Sequence, residues 1–229
     1  MEALLAFAAA LLALRLAGSL TGRYRATHRE AYAAWAAALA AYGIASAALA
    51  WGAAAGWDDR AFRVYYLFGG LLTAPLLAVG SLAFARRRYA TTIGLLYAGL
   101  AIGVAVAMPL TEPVTGASIP EAQDHLDLVP ARLVAIAGNT LGTIIVVAMA
   151  LLTIRRRPLA NALIISGVAV AATGSALAGL GEAKTAGFIA VAVVLLYGGF
   201  LVASGDSLPR PFPAALRSPR MRRRPSSSP

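Results

Sequence analysis

From Leu133 to Ile154 the chain reads "LVAIAGNTLGTIIVVAMALLTI", 22 residues without one charged side chain. A helix of that length rises about 33 Å, enough to cross a hydrocarbon core about 30 Å thick. Seven such apolar runs can be marked, at residues 3–20, 31–57, 61–85, 90–111, 131–154, 162–181 and 186–204. Nearly every face within them is apolar. They lack both the alternation of a barrel strand and the polar face of a soluble bundle helix. The expected fold is therefore all-α, a polytopic seven-transmembrane-helix bundle. Only 13% of the residues are charged, where a soluble domain carries about a quarter. The opening Met1-Glu2, with no basic stretch before the first run, predicts a retained first helix rather than a cleaved signal peptide.

The few charges are knotted between the runs, and their sign alternates. Arg23, Arg25 and Arg29 follow the first run, Arg86, Arg87 and Arg88 the third, and Arg155, Arg156 and Arg157 the fifth; six more arginines lie beyond 204. The other connections hold Asp58 and Asp59, then Glu112, Glu121, Asp124 and Asp127, then Glu182, with Arg60, Arg63, Arg132 and Lys184 beside them. Short loops rich in Arg and Lys stay in the cytoplasm. This pattern predicts a plasma-membrane protein with the N-terminus outside and the C-terminus cytoplasmic, Arg15 reaching back to the inner surface.

The organisation expected is a seven-helix transmembrane domain over 1–204 and a basic, disordered cytoplasmic tail over 205–229, which is Pro- and Ser-rich without apolar periodicity. The net charge of +10 is split among three loops and a tail at one membrane face and lacks interleaved aromatics. It predicts no nucleic-acid partner; the bilayer, and anionic lipid headgroups at the basic loops and tail, are the partners expected. With no cysteine, thiolate-held haem, zinc and iron–sulfur groups are excluded. His28 and His125 fall on opposite sides of the membrane and cannot share a ligand. "PEAQDHLD" (120–127) gathers Glu121, Asp124, His125 and Asp127, the makings of a cation site, yet a short surface helix opened by Pro120 accounts for it as well. No cofactor is expected.

The arginine knots are 69 residues apart, and that offset also lays Arg63 on Arg132, Gly69 on Gly138 and Leu72 on Leu141. It is either a parallel two-helix repeat or convergence of two outside-to-inside helices. Glycines one turn apart at Gly52/Gly56, Gly99/Gly103 and Gly138/Gly142 predict close helix approach. Pro75 should kink the third helix and release a backbone carbonyl.

No acid, lysine or histidine sits near the middle of any run. Proton transport by a buried carboxylate and a retinal Schiff base thereby lose their main candidates, since Lys184 stands at the mouth of the last run. The polar side chains that remain are Arg132, Asn139 and Thr143 along one face of the fifth run, Arg63, Tyr66 and Thr73 at similar depths in the third, and Glu112 as counter-charge. Together they suit an outward-facing pocket for a small anion or polar ligand, the alternative being structural pairing of helix ends. No nucleophile–base pair, carboxylate pair or phosphate loop can be placed in one compartment, so no enzymatic activity is expected.

At "FRVYYLFGGLLTAPLLAVGSLAF" (62–84) and "ARLVAIAGNTLGTIIVVAMALL" (131–152) the chain resembles uncharacterised seven-helix membrane proteins of high-GC, actinobacterial-type bacteria. The resemblance implies a fold and carries no activity with it. Two functions follow from the residues: a non-enzymatic sensory or scaffold protein whose basic inner loops meet a cytoplasmic protein partner, or a small-solute or ion transporter or channel. The scarcity of polar residues in runs 1, 2, 6 and 7 favours the first.

Overall fold

The computed structural model describes residues 2–178 and 185–203, and among these all regular structure is helical. Five helices are long and apolar enough to cross a membrane: α1 (Glu2–Thr27), α2 (Glu30–Ala55), α3 (Asp59–Phe84), α4 (Ala90–Ala107) and α5 (Leu128–Thr153). They are followed by α6 (Pro158–Ala178) and α7 (Thr185–Ala203). The tail at 205–229, the ends of the last two apolar runs, Glu182 and Lys184 lie outside the described residues.

Six of these helices close a ring in the order α1, α2, α3, α5, α6, α7 and back to α1, while α4 stands outside it against α3. Small residues bring the members together. A Cβ on Gly43 of α2 would meet the Leu14 side chain of α1, and one on Gly167 of α6 would meet Leu196 of α7. Without a hydrophobic difference between lipid and helix surface, such close backbone approach is what holds apolar helices side by side.

The connections differ at the two ends. α1 runs about two turns further than its apolar run because nothing breaks it before His28, whose φ of 52° reverses the chain into α2. Arg23 and Arg25 therefore sit on the helix itself, near its C-terminal end, where the backbone dipole favours cations. Arg86, with φ 57°, makes the equivalent reversal after α3. At the opposite end Gly56 (φ 91°) closes α2, and Asp58 caps α3 through the Ala61 N–H at 2.7 Å.

Residues 108–127 fold back over that end. Val114 N–H donates to Asp59 Oδ1 at 2.8 Å, Trp57 N–H to the Gly116 carbonyl at 2.7 Å, and Val114 and Leu126 are buried. "PEAQDHLD" holds a single helical turn, Ala122–His125; His125 faces the Glu112 carbonyl at 3.3 Å and the Phe62 ring at 5.6 Å.

Of the three glycine pairs, Gly138/Gly142 alone brings two helices together through both members. Gly52 receives the Trp57 ring, Gly56 ends its helix, and nothing lies within 4 Å of a Cβ on Gly99 or Gly103, which look outward from α4. The 69-residue offset is visible as register: Asn139 of α5 donates to the carbonyl of Gly70, the residue that the offset places opposite it. α3 and α5 thus stand side by side at matched height. α4 and α6 do not correspond, one outside the ring and the other within it.

Candidate functional site

α3 is not a continuous α-helix. Tyr66–Leu72 is a π segment between α-helical Asp59–Tyr65 and Thr73–Phe84, and its cause is Pro75. The ring nitrogen of Pro75 has no hydrogen to give to Leu71, its α-helical acceptor, or to Gly70, its acceptor in π register. Two carbonyls are left in an apolar surrounding, where an unpaired one is unfavourable by several kcal/mol.

Side chains from two other helices answer them. The Tyr97 hydroxyl of α4 donates to the Leu71 carbonyl at 2.9 Å. The Asn139 amide of α5 divides its two N–H groups between the Gly70 carbonyl and Ala135, one turn back in its own helix, at 2.9 Å. Thr73 closes the remaining gap by donating to Phe68 at 2.7 Å.

The flanking glycines make this geometry possible. A Cβ on Gly138 would collide with the Tyr97 hydroxyl, and one on Gly142 would lie 2.8 Å from the carbonyl carbon and oxygen of Ala74. "GNTLG" therefore reads the break at Pro75 three times, with two hydrogen atoms and one amide.

The other residues expected here distribute as follows. Arg63 donates to the Ala105 carbonyl at 3.1 Å, capping the C-terminal end of α4, where unpaired carbonyls collect. Tyr66 is buried, stacked on Phe62 at 5.8 Å, and close enough to feel the charge of Arg132, which is half-buried. Thr143 is half-buried one turn beyond Asn139. Glu112 meets neither arginine within ion-pair distance among the described residues; its carbonyl faces His125 instead, because 108–127 folds away over the helix ends. Tyr66, Arg132 and Asn139 are thus gathered around the π segment, Arg63 is drawn to α4, and Glu112 stays in the loop.

A second site lies at the other end of the ring. A cavity of about 260 Å³ opens between α1, α2, α3, α5, α6 and α7. Its deep wall is Leu77, Val146, Ile164 and Leu196, and its mouth is Arg156, Arg157, Thr153, Asn161 and Tyr32. Val146 precedes Thr153 at the mouth, and Leu77 precedes Phe84 at the end of α3, by two turns, a depth of about 10 Å.

Trp35 forms one side, tilted against Phe84 at 5.4 Å and resting on Gly80, where any Cβ would strike its indole. Arg157 also lies over the Phe84 ring, 5.9 Å from its centroid. Asn161, buried on α6, donates to the Thr153 hydroxyl at 3.0 Å, and Thr153 donates on to Met149 at 2.8 Å, tying α6 to α5 across the mouth.

The cavity is not legible from the arginine knots, whose spacing serves equally well as an orientation mark. The available signal was Asn161, one turn after Arg157 in "RRRPLAN", a buried-type amide directly behind two cations.

No known protein family, curated protein or solved structure matches the chain.

Proposed function

We propose that the protein is a multi-pass protein of the plasma membrane, seven helices with the N-terminus outside and the C-terminus cytoplasmic, acting without enzymatic chemistry as a sensory or scaffold unit. Its ligand-responsive element is the break in α3. Tyr66, Arg132, Asn139 and Thr143 receive a small anion or polar molecule from outside, Arg63 being held at the end of α4 and Glu112 in the 108–127 loop, and the basic inner loops meet a cytoplasmic protein.

The observation that carries this reading is the pair of Leu71 and Gly70 carbonyls held by side chains of α4 and α5. π segments recur at functional sites. A ligand that competes for the Asn139 amide or the Arg132 guanidinium favours one register over the other, and that differential binding is what a switch requires.

The membrane placement is supported by five apolar helices of spanning length and by the collection of arginines at one end of the ring. Two measurements test the whole. Cysteine at position 116 should be labelled by an impermeant reagent on intact cells and cysteine at 207 should not; the reverse pattern inverts the orientation. Protein in liposomes should pass neither potassium, chloride nor glutamate. Flux of any of these replaces the scaffold with a transporter, the reading favoured by a ring of six helices around a void.

A further inference from the structure

The geometry points to the cavity at the arginine end as a binding site for one anionic phospholipid, its phosphate on Arg156 and Arg157 and the first part of one acyl chain among Leu77, Val146 and Leu196. The ligand-responsive element proposed above, at the break in α3, does not use this cavity, although Arg156 and Arg157 at its mouth belong to one of the basic inner loops. The inference draws on that reading only for the presence of a bilayer at this end of the helices.

The cavity has two chemistries in the order a lipid presents them. Its deep wall is aliphatic, so a polar solute would lose its hydration there without replacement. Its mouth carries two guanidiniums that, among the described residues, meet no carboxylate. Guanidinium groups bind phosphate through paired, charge-assisted hydrogen bonds, and basic pockets between helices at a membrane surface are where such headgroups lodge. Asn161 and Tyr32, at the same level, add polar groups suited to the glycerol and ester oxygens. At about 260 Å³ the void approaches the lower limit of small-molecule sites, about 300 Å³, room for part of one chain and not for a whole lipid.

Trp35 supplies the probe, because it lines the cavity and is one of only three tryptophans in the chain. Full-length W51F/W57F protein, with its fold checked by circular dichroism, is stripped of lipid in detergent. It is then titrated with phosphatidylglycerol or phosphatidylcholine carrying brominated acyl chains. Phosphatidylglycerol should quench Trp35 saturably, and native mass spectrometry of the unsubstituted chain should find one molecule retained.

The double substitution Arg156→Gln, Arg157→Gln should weaken binding on the order of tenfold or more. Arg86→Gln with Arg88→Gln removes the same charge from residues that do not line the cavity and should change binding by less than about twofold, since only diffuse attraction is lost. Equal quenching by both lipids, or equal damage from both arginine pairs, overturns the site. So does preferential binding of laurate, which would make the occupant a free fatty acid. Recovery of the chain in the soluble fraction of cells would instead sink the membrane reading; recovery in membranes with Trp35 unquenched sinks only this inference.

Discussion

The middle of the α3–α5 pair and its arginine end use polar side chains differently. Around Pro75, Tyr97, Asn139 and Thr73 are spent on main-chain carbonyls, and glycine faces backbone so closely that no methyl group fits. About four turns beyond Asn139, Thr153 at the end of α5 and Asn161 of α6 bond to each other beside a void, and among the described residues Arg156 and Arg157 stand at its rim without carboxylates. The same two helices are thus clamped at mid-length and leave a cavity between them toward the arginine end. The broken helix draws donors from two neighbouring helices onto its main-chain carbonyls, whereas at the cavity the Asn161 amide bonds another side chain and the two guanidiniums meet no carboxylate among the described residues.

The comparison breaks most sharply at Gly142. Gly142→Leu drives side-chain atoms into the Ala74–Pro75 backbone, which cannot yield as a side chain could, and should lower stability by about 3 kcal/mol or more, enough to lose the folded protein in detergent. Thermal unfolding that is unchanged in this variant would mean that α3 and α5 are not in contact at that level.

Asn139→Leu comes next, leaving Gly70 without its donor at a cost of about 1–3 kcal/mol. If Pro75 is the reason that Asn139 is needed, Pro75→Ala restores a backbone N–H and should recover part of that loss in the double variant. Strict additivity of the two substitutions would refute the link. Tyr97→Phe, by the same logic at Leu71, should cost about 1 kcal/mol, and its effect should likewise shrink beside Pro75→Ala.

The smallest effect is expected at the open end. Val146→Ile adds one methylene one turn after Gly142, toward a cavity, and should shift stability by less than about 0.5 kcal/mol. A cost comparable to that at Gly142 would show that the void is not there.

Much of the polar site was legible because its cause is local. Pro75 announces the missing donor in one letter, and the glycine spacing of "GNTLG" marks a face made for backbone contact. Which carbonyls are released, and that Tyr97 joins Asn139 in reaching them, could not be read, because Tyr97 belongs to a helix that the sequence gives no reason to place beside Leu71. Depth along the chain alone pairs Glu112 with the arginines, whereas the loop that folds over Trp57 and Phe62 sets its carbonyl against His125.

The sequence by itself determined what depends on near neighbours along the chain: apolar runs of spanning length, arginines gathered between them, the broken ladder at Pro75. Those follow from hydropathy, charge and backbone geometry within a few residues of each position. Only the tertiary structure decided the ring that leaves α4 outside, the register that sets Asn139 against a carbonyl 69 residues away, and the void behind Arg157. Each of these is set by distances between helices, which depend on how side chains from six segments fill shared space, and no single segment contains that information.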